Sequence, residues 1–224
     1  HARLQMPKGY RCPVRYMRYV AKTENDLRRL YASIDRGKAR SKANVVNSYL
    51  FDTPEYAGFS KGIIRLVAEG IGVWLWEKVY ERTSRDGDDR SYLLMTDHLS
   101  IGQATAKFLF EHQSDKIRFF LGRAPVVAAM LATFNKNKAE ANSFWASIVD
   151  GVGYDGTGDP RNYLRTYLMT ATLQGSTARN TSKKAATQEE MFRICIASWN
   201  AWRNNLKINN GVRVKINSPR PEVL

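Results

Sequence analysis

The chain of 224 residues is 43% hydrophobic and 25% charged, an ordinary globular composition that excludes a fibrous or wholly disordered protein and allows a sizeable core. Its longest apolar runs, Ile71 to Trp76 and Pro125 to Ala132, fall well short of the roughly 20 residues that cross a bilayer, so no membrane span is expected. Net charge is +14 and unevenly spread: residues 1–50 hold 12 Lys/Arg against 3 acids, residues 51–160 hold 12 against 15, and residues 161–224 hold 11 against 3.

From the N-terminus, Arg11 to Val20 alternates Cys12, Val14 and Tyr16 on one side and reads as a strand. Thr23 offers an N-cap with Asp26 in the first turn, and Leu27, Leu30, Tyr31 and Ile34 recur at helical spacing until Gly37. The basic connection from Arg36 to Lys42 leads into a helix carrying Val45, Val46, Tyr49 and Leu50, and Asp52-Thr53-Pro54 breaks the chain. Residues 60–82 form the next predicted helix, with Ile63, Leu66, Val67, Ile71, Trp74 and Leu75 on its apolar face and Gly70 and Gly72 weakening it.

An exposed loop is predicted over 83–91, and a helix over 97–113 through Leu99, Ile101, Ala104, Phe108 and Leu109. Pro125 opens another helix, with Val126, Val127, Met130, Leu131 and Phe134 behind it, and Asn135 to Lys138 reads as a turn. The helix from about Ala139 turns Phe144, Trp145, Ile148 and Val149 inward and ends at Asp150-Gly151. Asp159 then caps a helix with Pro160 at its first position and Tyr163, Leu164, Tyr167 and Leu168 on its stripe. The last helix is predicted to begin at a capping box, Thr187 with Glu190, and to carry Met191, Ile194, Cys195, Ser198, Trp199 and Trp202. A short strand, Val212 to Ile216, and an extended Ser218-Pro219-Arg220-Pro221 segment follow.

The fold class that results is mainly α, a helical bundle with a small α/β piece at the N-terminus and a short C-terminal strand. The domain division falls at 1–54 and 55–224. Nothing apolar follows His1-Ala2-Arg3, so no signal peptide is expected, and Cys12 and Cys195 lack any ligand or disulfide pattern, which favours a reducing, cytoplasmic setting.

Chemistry-bearing motifs are scarce. His98 and His112 have no metal-ligand spacing, and the common phosphate-loop, dinucleotide and nucleophile-elbow patterns are absent. The acidic glycine-rich loops, Asp86 to Asp89 and Asp150 to Asp159, fit turn chemistry better than a calcium loop. No cofactor or metal is expected, and no catalytic residue is assigned.

The basic clusters carry the functional expectation. Arg36, Lys38, Arg40 and Lys42 surround a helix start, Arg179, Lys183 and Lys184 fall in a Ser/Thr/Asn-rich stretch read as a loop, and Arg203, Lys207, Arg213 and Lys215 surround the C-terminal strand. Together they point to a nucleic acid, DNA foremost, rather than a membrane. Trp199 and Trp202 could stack on bases, but their spacing on the stripe of Ile194 and Cys195 favours the core. Two competing classes are an enzyme, which three or more clustered carboxylates would favour, and a structural or assembly protein, which a large apolar patch would favour.

The segment Ile34-Asp35-Arg36-Gly37-Lys38-Ala39-Arg40-Ser41, with Phe144-Trp145, Gly158-Asp159-Pro160 before Leu164, and Ala197-Ser198-Trp199-Asn200-Ala201-Trp202-Arg203, resembles ParB-like ((D/N)GQHR-type) proteins of phages and mobile genetic elements. The resemblance implies that the chain is the C-terminal part of a longer protein, with His1-Ala2-Arg3-Leu4 a remnant of the (D/N)GQHR element, and that its biology concerns DNA. It also raises a nuclease or nucleotide-dependent enzyme as an alternative. The Gly and acidic residue of that element are not in the chain, so no catalytic role is carried over.

Overall fold

Pro125 to Phe134 offers solvent no polar face, and a helix of that kind must be enclosed by others. The computed structural model of the chain shows this arrangement; it describes residues 18–20, 22, 23, 26, 54–75, 97–112, 121–174, 181–215 and 218–224. The chain divides into two compact units, His1–Gly37 and Lys38–Leu224. In the first, the Thr23 hydroxyl accepts the Asp26 N–H at 3.1 Å, the cap expected there, and the Asp26 carboxylate returns the bond by accepting the Thr23 N–H at 3.0 Å. Residues 11–17 of the predicted strand, residues 27–34 of the helix after Thr23, the helix at 45–50, residues 76–82 of the helix predicted over 60–82 and the loop at 83–91 lie outside the described residues, and residues 18–20 carry no regular secondary structure.

The described part of the second unit is mainly helical. A short 3-10 turn, Pro54–Tyr56, precedes α1 (Lys61–Leu75), α2 (Leu99–Glu111), α3 (Ala124–Lys136), α4 (Lys138–Asp150), α5 (Pro160–Gln174) and α6 (Thr181–Arg203). Helix α3 is the hub: every residue from Pro125 to Phe134 is buried, and α1, α2, α4 and α6 all pack on it. Gly70, which weakens α1 in isolation, permits the closest approach, since a Cβ there would lie 2.7 Å from Val127 Cγ1 and 3.2 Å from the Ala128 nitrogen.

Asn135 to Lys138 is not the four-residue turn that its composition suggests. Helix α3 continues through Lys136, and Asn137 alone separates it from α4, its Oδ1 accepting the N–H groups of Ala139 at 3.1 Å and Glu140 at 3.2 Å. One asparagine thus ends one helix and caps the next. Helix α4 ends as expected at Gly151, in the left-handed region at φ 72°.

Helix α6 starts earlier than the Thr187 capping box indicates. It runs from Thr181, so Thr187 is interior and the backbone of Lys183 and Lys184 is helical rather than loop. Lys and Ala at 183–186 are strong helix formers, and their propensity outweighs the polar composition that suggests a loop.

Aromatic packing joins α4 to α6. Phe144 meets Trp145 and Trp199 edge-on at 5.2 and 5.3 Å, and all three are fully buried. The Trp145 indole N–H donates to Thr133 Oγ1 at 2.9 Å and that of Trp199 to the Leu224 carbonyl at 3.0 Å, so neither polar tip is stranded. Trp199 is therefore a core anchor, whereas Trp202 and Trp74, expected to be largely buried, are only half-buried. Residues 212–215 of the predicted C-terminal strand carry no regular secondary structure, and Ile216 lies outside the described residues.

Candidate nucleic-acid interface

Residues 203–221 contain five cations and no acid, so whatever neutralises them must come from elsewhere in the fold or from a partner. Arg203 Nε lies 2.8 Å from Glu140 Oε2, an ion pair rather than an aligned hydrogen bond, and its guanidinium sits over the Trp199 ring. Arg220 forks onto Glu189, with Nε 3.0 Å from Oε1 and Nη2 2.7 Å from Oε2, and its Nη1 caps α1 through the carbonyls of Val73 at 2.7 Å and Trp74 at 3.0 Å. The remaining three, Lys207, Arg213 and Lys215, are exposed and pair with no acid among the described residues.

The main chain that bears these three cations is fastened beside each of them. The Ile208 N–H donates to the Gly158 carbonyl at 2.8 Å, the Val212 N–H to Tyr163 Oη at 3.0 Å, and Arg193 Nη1 to the Lys215 carbonyl at 2.9 Å. Each anchor uses the backbone and leaves the neighbouring side chain in solvent. A fixed row of cations loses less freedom on meeting a polyanion than a loose one.

The anchors rest on two buried charge networks. Asp159 caps α5, accepting the Arg161 N–H at 2.8 Å through Oδ1 and the Asp155 N–H at 2.7 Å through Oδ2, and the Arg161 side chain returns to the same carboxylate at 2.6 Å. Burial alone would raise the Asp159 carboxyl, yet the hydrogen bonds from Arg161 and from the two N–H groups outweigh it and hold the group below the usual carboxylate range. The same hydrogen bond is the main cause that raises Arg161 above its ordinary value. This network holds the turn whose Gly158 carbonyl receives Ile208. In the second, Arg193 donates to Glu189 at 2.8 Å and to the Ser218 and Pro219 carbonyls at 2.6 and 3.0 Å, gripping the chain on the far side of Lys215.

Of the other residues singled out in the sequence, Arg36, Lys38, Arg40, Lys42 and Arg179 lie outside the described residues, and Lys183 and Lys184 belong to the first turns of α6. His98 and His112 flank the two ends of α2, about 20 Å apart along the helix, so they cannot share an ion. No group of three or more His, Cys, Asp or Glu converges among the described residues, and none of the described helices is long and apolar enough to cross a membrane.

Sequence reasoning does not single out Glu189, Arg193 or Arg220; the only signal is the i, i+4 spacing of Glu189 and Arg193. In comparisons with known proteins, no family, no curated protein and no solved structure matches the chain.

Proposed function

We propose that this protein binds nucleic acid, DNA in the first instance, through a basic surface of which Lys207, Arg213 and Lys215 are the described part. The observation that supports the reading most directly is the division of the cations in 203–221. Two are committed to buried or half-buried acids, while three stand exposed, with no acid partner among the described residues, on a backbone fastened at 208, 212 and 215. Such cations contact phosphates and carry little base information, so the binding is sequence-tolerant. The reading rests on this placement of charge and not on the family resemblance.

The test is DNA binding by fluorescence anisotropy across a salt series. Replacing Lys207, Arg213 and Lys215 together by Ala should weaken all DNA sequences alike and reduce the salt slope by about 2–3 units, roughly 0.9 for each phosphate no longer neutralised. Folding stability should change little, since the side chains are solvated. No binding by the unaltered protein at about 50 mM salt, or an unchanged slope in the triple variant, would overturn the reading.

A further inference from the structure

Helix α5 has no Asp or Glu along its length, and the segment it anchors, 203–221, has none either. At their junction stands Tyr163, with Tyr167 one helical turn further along α5; both are half-buried, their rings nearly parallel at 20° with centroids 6.5 Å apart. Tyr163 is locked to the basic segment: its hydroxyl accepts the Val212 N–H at 3.0 Å, and its ring edge packs beside Gly211. Asn162, Thr166, Met169 and Thr170 are exposed on the same helix.

We infer that the polymer held by Lys207, Arg213 and Lys215 is single-stranded, with its unpaired bases stacked on the Tyr163–Tyr167 ring pair. This rests on the nucleic-acid reading above and narrows it. Cations alone do not distinguish a duplex from a single strand, but a ring pair that begins beside them at Tyr163 does, because the base faces of a duplex are already stacked on one another. The spacing agrees. Exposure alternates from Val212 to Lys215, as in an extended chain, so Arg213 and Lys215 emerge on one side roughly 6–7 Å apart, in file along one strand of phosphates.

One acid, Glu190, acts electrostatically on Tyr167 and is opposed there by Arg123. Burial, the largest influence, pushes the Tyr167 phenol upward from a value already above working pH, and the neutral ring does not repel phosphate.

Three probes test the inference by anisotropy at low salt: oligo-dT, an abasic oligomer of equal length with the same phosphates, and a duplex of equal length. The unaltered protein should bind oligo-dT more tightly than the abasic strand by about 5- to 100-fold, the range for one stacked base. Tyr167→Leu should remove most of that difference while leaving the abasic affinity in place, which also shows that the variant is folded. Tyr167→Phe, which keeps the ring, should bind as the unaltered protein does.

Equal affinity for oligo-dT and the abasic strand, tighter binding of the duplex than of oligo-dT, or full oligo-dT affinity in Tyr167→Leu would overturn the inference. If the triple cation variant still loses binding in those cases, the nucleic-acid reading survives alone. If the unaltered protein binds none of the three probes, both fall.

Discussion

Glu189 is 3% exposed and is the shared anion of two guanidinium groups, so its removal should be the most damaging change to the C-terminal segment. Glu189→Ala deletes three charge-assisted contacts, from Arg193 Nε at 2.8 Å and from Arg220 Nε and Nη2 at 3.0 and 2.7 Å. Taken singly these would each be worth roughly 1.5–3 kcal/mol, but the sum overstates the loss. Arg193 keeps its acceptors at Lys215, Ser218 and Pro219, and Arg220 keeps the carbonyls of Val73 and Trp74. What remains is the cost of one buried and one half-buried cation left without their anion, about 3–5 kcal/mol. For a domain of this size each kcal/mol moves Tm by roughly 2–4 °C, so thermal unfolding by circular dichroism should shift down by about 6–20 °C. Glu189→Gln, which keeps one carbonyl acceptor, should lose less. A loss below about 1 kcal/mol for the Ala variant would place the pair in the class of exposed ion pairs and refute the reasoning.

Trp199→Ala should cost about 3–5 kcal/mol by urea unfolding, because the ring is fully buried against Phe144; a loss under about 1 kcal/mol would contradict its place in the core. The buried Tyr56 hydroxyl has no hydrogen-bond partner among the described residues and stands where a Cβ on Gly102 would collide with it. Tyr56→Phe should therefore be neutral or stabilising by up to about 1 kcal/mol, and it should soften the destabilisation caused by Gly102→Ala, a coupling that a double-mutant cycle measures. Asp159 has a depressed folded pKa, so its stabilisation is complete above the unfolded carboxylate value near about 4 and disappears as pH falls through the folded value. Asp159→Asn should flatten that acid limb in a plot of urea midpoint against pH, and an unchanged limb would contradict the assignment.

The helices that sequence reasoning locates best are those whose ends are marked by one local residue. Asp159 with Pro160, Pro125, and Gly151 each act within a single turn, and the observed boundaries of α5, α3 and α4 follow them. The start of α6 is misplaced for the complementary reason: Thr187 and Glu190 form a capping pattern, but nothing upstream breaks the helix, so propensity carries it back to Thr181. At the candidate interface the cations Lys207, Arg213 and Lys215 are legible as composition. Their freedom is not, because it depends on Glu140 and Glu189, which lie 63 and 31 residues away in sequence and take Arg203 and Arg220 out of solution. Tyr163 and Tyr167 are legible only as a helical stripe, since the bond of Tyr163 to Val212 is a tertiary contact.

That division of the cations also fixes what a salt titration of the unaltered protein should show. Residues 161–224 hold 11 Lys/Arg, but Arg161, Arg193, Arg203 and Arg220 are paired with Asp159, Glu189 and Glu140, and Arg165 donates to the carbonyls of Ile148 and Val149 at the end of α4. Of the C-terminal cations whose side chains the structure describes, Lys207, Arg213 and Lys215 stand exposed with no acid partner among the described residues. Three phosphate contacts give a slope of about −2.7 on duplex and about −2 on a single strand. Adding the four cations of Arg36, Lys38, Arg40 and Lys42 would steepen these to about −6 and −5. A slope near −2 that vanishes in the triple Ala variant thus assigns phosphate contact to the C-terminal segment alone. A slope near −5 that falls by about 2 in the same variant adds phosphate contacts from a second basic cluster, the turn at 36–42 or Arg179, Lys183 and Lys184. A slope that does not respond to the triple variant removes the C-terminal segment from the interface, whatever its steepness.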